Sequence, residues 1–132
     1  MDNGCLKGKK VLVVEDDFSS RLYLNKILEK TGAVILNAVN GKEAVKIVSE
    51  TPDLNIILMD IQLPVMDGYM SAKLIREIRK DAVIIAQTAY GYRGDREKMA
   101  SSFDDYLIKP IYANVLIEKI MHALNQRGIK HD

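Results

Sequence analysis

Residues 55–69 read NIILMDIQLPVMDGY, and this stretch decides the fold class. Residues 56–59 form a continuous apolar run, which is typical of a strand buried on both faces of a parallel sheet. The run stops at a single carboxylate, Asp60, and the Asp67-Gly68 pair then predicts a turn and the start of a helix. Parallel sheets build their sites at the carboxyl ends of strands, so Asp60 is a candidate site residue.

The rest of the chain alternates short apolar runs with stretches of helical periodicity. Strands are predicted at residues 11–14, 34–36, 54–59, 83–86 and 106–108. Helices are predicted by apolar stripes within residues 24–28, 44–48, 71–78 and 113–124, and by a polar stretch over 93–102. The predicted fold class is therefore α/β: a doubly wound five-stranded parallel sheet, flavodoxin-like (βα)5, with strand order 2-1-3-4-5.

Length and charge limit the function classes. At 132 residues the chain is predicted to hold one domain over residues 9–126, between tails at 1–8 and 127–132. A net charge of +1 does not favour direct contact with nucleic acid or a membrane surface. The apolar runs are far shorter than the roughly 20 residues that span a bilayer. Because no signal peptide is visible and Cys5 is the sole cysteine, we expect a cytoplasmic location.

Four of the predicted strands end on polar residues that can carry chemistry. These are Glu15, Asp16 and Asp17 after the first strand, Asp60 after the third, Thr88 after the fourth and Lys109 after the fifth. In the order 2-1-3-4-5, the strand order reverses between the first and third strands, so their acidic residues are expected to face each other. Asp17 is also expected to cap the first helix.

Gathered carboxylates repel one another, and a hard divalent cation removes that repulsion. Mg²⁺ takes oxygen ligands and is usually held by one or two carboxylates together with a phosphate. Lys109 adds a positive charge for phosphoryl oxygens, and Thr88 adds a hydroxyl donor. A carboxylate nucleophile, an acidic pair, a lysine and a hydroxyl are the groups needed to form an aspartyl phosphate.

The chain resembles the receiver domains of bacterial two-component response regulators. The matching stretches are VLVVEDD, IILMDIQLPVMDGY, IIAQTA and DDYLIKP, and they come in the order typical of that family. The resemblance implies a receiver domain over nearly the whole chain. It also implies a phosphoacceptor signalling domain that catalyses its own phosphorylation and dephosphorylation, rather than an enzyme that acts on a separate substrate.

The resemblance implies a role for each matching residue. Asp60 corresponds to the phosphoacceptor, and Glu15 and Asp16 correspond to the acidic pair that binds Mg²⁺. Asp60 and the backbone carbonyl of Gln62 are implied as further Mg²⁺ ligands. Lys109 corresponds to the lysine of the phosphoryl site, and the Lys109–Pro110 peptide bond is expected to be cis.

A switch is also implied by the resemblance. Thr88 is expected to move towards a phosphoryl group on Asp60, and the ring of Tyr106 is expected to turn inward into the space that this leaves. The surface formed by residues 93–102, the fifth strand and the last helix would then change shape. Tyr90, a large residue two positions after Thr88, predicts slow self-dephosphorylation. Ser102 stands where relatives usually have Gly, so the end of the helix over 93–102 is expected to differ.

The implied partner is a sensor histidine kinase or a histidine phosphotransfer protein. A homodimer is left open, as is the choice between a free-standing regulator and a receiver from a hybrid kinase, although the stretch LKGKKVLVVEDD favours the hybrid kinase. A degenerate receiver that serves only as a protein-interaction module is the alternative within the family. A haloacid-dehalogenase-like phosphatase would place a D-x-D motif after its first strand. A nucleotide or flavin binder of flavodoxin type would need a Gly-rich or Ser/Thr-rich phosphate loop there instead of EDDFSS.

Overall fold

The computed structural model describes residues 4–63, 65–89 and 102–128. Five parallel strands form one sheet in the order β2-β1-β3-β4-β5. The strands are β1 (Lys10–Val14), β2 (Val34–Ala38), β3 (Leu54–Asp60), β4 (Val83–Thr88) and β5 (Asp105–Ile108). The helices in the described part of the chain are α1 (Phe18–Glu29), α2 (Gly41–Glu50), α3 (Gly68–Ile78) and α4 (Ala113–Gln126). The predicted fold class and strand order are confirmed.

Two predictions fall on residues that the structure does not describe. The helix predicted over 93–102 lies outside the described residues except for Ser102, which is buried. Tyr90 also lies outside them, so its predicted effect on dephosphorylation stays a prediction.

Alternate residues of the central strands enter two separate core layers. Val11, Val13 and Leu58 pack with buried residues of α1 and α4 on one face of the sheet. Leu12 and Met59 pack with buried residues of α2 and α3 on the other face. A strand covered on both faces cannot alternate apolar and polar side chains, and this explains the continuous apolar runs in the sequence.

The helices that follow the first three strands begin with side-chain caps. Side-chain oxygens of Asp17, Asn40 and Asp67 accept hydrogen bonds from the backbone N–H three residues later, at 2.8–2.9 Å. Such caps satisfy N–H groups that have no partner inside the helix. The predicted roles of Asp17 and of the Asp67-Gly68 pair are confirmed, and the caps fix where the chain leaves the carboxyl edge of the sheet.

The segment before β1 packs against the domain. Leu6 is fully buried, and its N–H donates to the carbonyl of Thr31 at 2.9 Å. Residues 4–8, which the sequence assigns to a tail, therefore contribute a side chain to the core cluster beside α1 and α4. A single leucine in a polar stretch carries no periodicity, so the sequence pattern did not indicate this contact. The predicted domain limits at residues 9 and 126 stay a prediction.

Among the described residues, no helix combines the length and the apolar character needed to cross a membrane. This agrees with the absence of long apolar runs from the sequence.

Replacing Asn40 with Ala should lower the free energy of unfolding by about 1 kcal/mol, because the N–H of Glu43 loses its cap. Urea unfolding followed by circular dichroism measures the change. Asn37→Ala is the matched control: Asn37 is exposed on β2, and its side chain makes no hydrogen bond within the described residues. Equal losses in the two variants would contradict a capping role for Asn40.

Candidate functional site

Asp60 ends β3 at the carboxyl edge of the sheet, and only 6% of its surface is exposed. Its Oδ1 accepts a hydrogen bond of 2.9 Å from the N–H of Gln62. Asp60 lies beside Gln87 of β4 in the strand register, and the carbonyl of Gln87 accepts from the N–H of Ile61 at 3.2 Å. The backbone on both sides of Asp60 is therefore fixed, and its carboxylate is held in one orientation.

Glu15, Asp16 and Asp60 come together as the sequence predicts. Each offers a carboxylate oxygen, and these oxygens all lie within 4.8 Å of one another. Glu15 is buried with 1% of its surface exposed, whereas Asp16 is exposed at the mouth of the cluster. An all-oxygen set of this kind suits a hard cation such as Mg²⁺, which prefers carboxylates and water.

Lys109 follows β5 and makes ion pairs with two of the three carboxylates. Its Nζ lies 3.2 Å from Oε1 of Glu15 and 3.5 Å from Oδ2 of Asp60. The side chain is 31% exposed, so part of its charge still faces solvent. One lysine cannot neutralise three carboxylates, and the cluster keeps an excess of negative charge.

Protonation of the cluster reflects this imbalance. Burial raises the pKa of Glu15 and the nearby charge of Asp60 raises it further, while the hydrogen bond from the N–H of Asp17 and the charge of Lys109 oppose the rise. Burial alone lowers the pKa of Lys109, but the charges of Asp60 and Glu15 outweigh burial, and the net shift is upward. Lys109 therefore stays charged, and an added cation is favoured beside Glu15.

Thr88 and Tyr106 lie on the two strands beyond β3. Thr88 ends β4 and is buried, and its carbonyl accepts a hydrogen bond of 2.9 Å from the N–H of Lys109. Tyr106 of β5 is half-buried against the core layer that includes Ala86, its neighbour in the strand register. The Nζ of Lys119 lies 5.2 Å from the centre of the Tyr106 ring. The ring of Tyr106 therefore makes a cation–π contact with Lys119.

Two further expectations can be compared with the structure. The Lys109–Pro110 bond is cis, as predicted. Gln62, whose carbonyl is implied as a metal ligand, directly follows the strand end and has an exposed side chain, so its backbone lies next to Asp60. Its role as a ligand stays a prediction.

Gly68 has a positioning role that sequence reasoning missed. A Cβ at this residue would lie 2.6 Å from the carbonyl oxygen of Asp60 and 2.6 Å from the Cα of Ile61, and real Cβ atoms do not approach so closely. The N–H of Gly68 also donates to the carbonyl of Ile61 at 3.3 Å. The Asp67-Gly68 pair predicts a turn, but only the folded chain shows that this turn packs on the backbone of Asp60.

Arg21 is a second residue that the sequence did not single out. Its Nη1 donates to the backbone carbonyl of Glu15 at 2.9 Å and ties α1 to the end of β1. A single half-buried arginine on a helix carries no sequence signal for such a contact.

The comparison with known families fits this geometry. Residues 11–121 match the family model of the response regulator receiver domain. The chain belongs to this family. It is a receiver domain of two-component signalling, as the resemblance of its sequence motifs implies.

Curated relatives include much longer proteins. The receiver domain is 39% identical over 121 residues to Hybrid signal transduction histidine kinase I of Dictyostelium discoideum, covering 85% of this chain and 7% of that protein. The chain spans between 7% and 16% of the length of the first curated relatives that it matches.

Solved structures include receivers from bacteria and yeast. One is the receiver domain of sensor histidine kinase PA1611 from Pseudomonas aeruginosa PAO1 with magnesium coordinated in its active site cleft (TM-score 0.79, 31% identity, 92% of this chain and 98% of that chain). Another is the co-crystal structure of the Saccharomyces cerevisiae histidine phosphotransfer signaling protein Ypd1 and the receiver domain of Ssk1 (TM-score 0.79, 35% identity, 88% of each chain).

Replacing Gly68 with Ala should lower the free energy of unfolding by about 1–3 kcal/mol, because the new methyl group overlaps the backbone of Asp60 and Ile61. Helix propensity alone would change stability in the opposite direction, since Ala is favoured over Gly in a helix by up to about 1 kcal/mol. Urea unfolding measures whether the variant is less stable or more stable than the wild type. Lys73→Ala, at an exposed position of the same helix, is the control and should change little.

Replacing Asp60 with Asn should raise the free energy of unfolding by about 1 kcal/mol in EDTA, because one of the repelling carboxylates is removed while Lys109 keeps Glu15 as a partner. Saturating Mg²⁺ should stabilise the wild-type protein and erase this advantage.

Thermal unfolding with and without Mg²⁺ measures both effects. Asp53→Asn is the control: Asp53 forms an exposed ion pair with Lys10 away from the cluster, so Mg²⁺ should stabilise this variant as much as it stabilises the wild type. A wild-type protein that is unaffected by Mg²⁺ would contradict cation binding at the cluster.

Proposed function

We propose that this receiver domain accepts a phosphoryl group on Asp60 in a Mg²⁺-dependent reaction and changes its surface in response. The observation that carries the proposal is the meeting of Glu15, Asp16 and Asp60 oxygens within 4.8 Å of one another, with Lys109 in ion-pair contact with two of them. The acidic residues suit Mg²⁺, Asp60 among them is the phosphoacceptor, and a phosphodonor must supply the phosphoryl group, so the three are proposed together.

Asp60 acts as the nucleophile. One of its carboxylate oxygens forms a bond to phosphorus, while the bond from phosphorus to the imidazole nitrogen of the donor histidine breaks and that nitrogen keeps the electron pair. The hydrogen bond from the N–H of Gln62 holds the carboxylate in place for this attack. The fixed orientation lowers the entropic cost of reaching the transition state.

Glu15 and Asp16 would hold Mg²⁺ together with Asp60 and the carbonyl of Gln62. When bound, the ion supplies positive charge that screens the carboxylates from the incoming phosphoryl group. Lys109 contributes a second positive charge from the end of β5, at the same edge of the sheet, and it can exchange its contact with Asp60 for a phosphoryl oxygen.

Thr88 and Tyr106 are proposed as the switch. Thr88 ends β4, the strand beside β3, at the same edge of the sheet as Asp60, and its hydroxyl would donate to a phosphoryl oxygen. Tyr106 is half-buried and stacks beneath Lys119, and an inward turn of the ring would break that contact. The readout is therefore a local packing change with two discrete states.

The proposed phosphodonor is a sensor histidine kinase or a histidine phosphotransfer protein, and the proposed location is the cytoplasm. Similarity to a receiver crystallised with a histidine phosphotransfer protein supports the class of donor. The domain would catalyse its own phosphorylation and dephosphorylation, since the groups that carry the chemistry belong to this chain.

Incubation with acetyl phosphate and Mg²⁺ should add one phosphoryl group to the protein, and intact-mass spectrometry detects it. Asp60→Asn should abolish the addition, and EDTA should prevent it in the wild type. Asp16→Asn should slow it by at least about tenfold, because the exposed member of the acidic pair is lost.

Asp67→Asn is the matched control for these variants. Asp67 lies in the same loop but caps α3 through Oδ1, and asparagine preserves that cap. A wild-type protein that gains no phosphoryl group while binding its partner would favour the degenerate receiver. If Asp60→Asn still gains a phosphoryl group, the phosphoacceptor is a residue other than Asp60.

Phosphorylation should shift the ring signals of Tyr106 in NMR spectra, because the ring leaves Lys119. Thr88→Ser keeps the hydroxyl and should preserve the shift, whereas Thr88→Ala should suppress it by more than about half. If the Tyr106 signals shift as much in Thr88→Ala as in the wild type, the ring responds independently of Thr88, and the proposed switch is contradicted.

A further inference from the structure

Lys109 reaches the acidic cluster from a strand that is not a neighbour of β1. In the order β2-β1-β3-β4-β5, two strands lie between β1 and β5. Neighbouring strands are about 4.8 Å apart, so β1 and β5 are separated by roughly 14 Å. The Nζ of Lys109 nevertheless lies 3.2 Å from Oε1 of Glu15, the residue that follows β1. Two extended side chains span this gap, so their contact depends on where the two loops lie, and strand pairing between β1 and β5 does not set that.

A hydrogen bond from α1 joins the same two parts of the molecule. The hydroxyl of Tyr23 donates to the backbone carbonyl of Ile111 at 2.5 Å, across 88 residues of sequence. Ile111 lies in the loop after β5 that begins with Lys109, and its side chain is buried in the core layer beside α1. The hydroxyl of Tyr23 therefore fixes this loop against α1.

The same helix is also tied to the backbone of the acidic residues. Arg21 donates from Nη1 to the carbonyl of Glu15 at 2.9 Å. The N–H of Glu15 donates in turn to the carbonyl of Ala38 on β2 at 3.0 Å. Helix α1 thus connects the backbone that carries Glu15 to the backbone that carries Ile111.

These contacts form a closed ring through the site. The ring runs from Glu15 through α1 to Ile111, back along the chain to Lys109, and across the ion pair to Glu15 again. The N–H of Lys109 also donates to the carbonyl of Thr88 at 2.9 Å, which fixes the first residue of the loop. A lysine side chain has many rotamers, and a backbone that is fixed on both sides favours those that reach the cluster.

We propose that Tyr23 is a positioning residue for Lys109 in the phosphorylation of Asp60. Its hydroxyl fixes the loop after β5, so that the ammonium group of Lys109 is held beside the carboxylate that receives the phosphoryl group. Tyr23 acts through Ile111 and Lys109, and the fixed position of the charge lowers the entropic cost of reaching the transition state. The inference rests on the proposed function, since it assigns a role within that reaction.

The test compares the rates at which the wild-type protein and Tyr23→Phe gain a phosphoryl group from acetyl phosphate at saturating Mg²⁺, measured by intact-mass spectrometry. Phenylalanine keeps the ring and removes only the hydroxyl that donates to Ile111. We expect the rate to fall by about fivefold, the factor that corresponds to the loss of one hydrogen bond of average strength.

Magnesium binding separates the positioning of Lys109 from a general loosening of the site. Calorimetric titration of the unphosphorylated proteins with Mg²⁺ should give Tyr23→Phe a Kd equal to or below that of the wild type. The acidic cluster itself is unchanged in this variant, and Lys109 competes less with the cation for the carboxylates of Glu15 and Asp60. A site that is loosened as a whole would bind Mg²⁺ more weakly.

Two variants are matched controls. Tyr112→Phe removes the hydroxyl of the tyrosine next to Ile111 in the chain, which is exposed and makes no hydrogen bond within the described residues. Thr31→Val removes a side-chain hydrogen bond of 2.5 Å to the carbonyl of Leu28, just beyond the far end of α1. Both variants should be phosphorylated at the wild-type rate, although Thr31→Val should have a lower melting temperature because a buried hydrogen bond is lost.

Three results would overturn the proposal: a wild-type rate in Tyr23→Phe, an equal loss of rate in Thr31→Val, or weaker Mg²⁺ binding by Tyr23→Phe than by the wild type. The first two leave the proposed function intact, because the wild-type protein is still phosphorylated. Failure of the proposed function is recognised separately, since the wild-type protein would then gain no phosphoryl group, and the role of Tyr23 would be refuted with it.

Discussion

Mutual repulsion among Glu15, Asp16 and Asp60 is the constraint on which the rest of the site depends. Two of these carboxylates are buried, and buried like charges are tolerated only beside compensating charge. Lys109 supplies part of that charge from a different strand end, and the remaining imbalance favours a bound cation. The site is thus a place where the fold gives up stability, as functional sites commonly do.

The backbone, more than the side chains, holds these charges together. β1 and β3 are neighbours in the sheet, so the residues that follow them must share one edge. The N–H of Gln62 fixes the Asp60 carboxylate, and the turn at Gly68 packs on the Asp60 backbone so closely that no Cβ fits. The carbonyl of Thr88 in turn fixes the start of the loop that carries Lys109. Hydrogen bonds are directional, so these contacts restrict how far the Asp60 carboxylate and the start of the Lys109 loop can move.

The sequence by itself determined the class of fold and the residues of the charged cluster. Continuous apolar runs identify strands buried on both faces, and a polar residue at the end of such a run marks the edge where Asp60 and Lys109 meet. Only the tertiary structure decided which segments of the chain are in contact. The close approach of Gly68 to Asp60 depends on how the loop between them folds, and the burial of Leu6 depends on residues far apart in the chain. Periodicity in the sequence indicates which face of a helix or strand a side chain occupies. The distance between two elements is set only when the sheet forms and the helices pack on it.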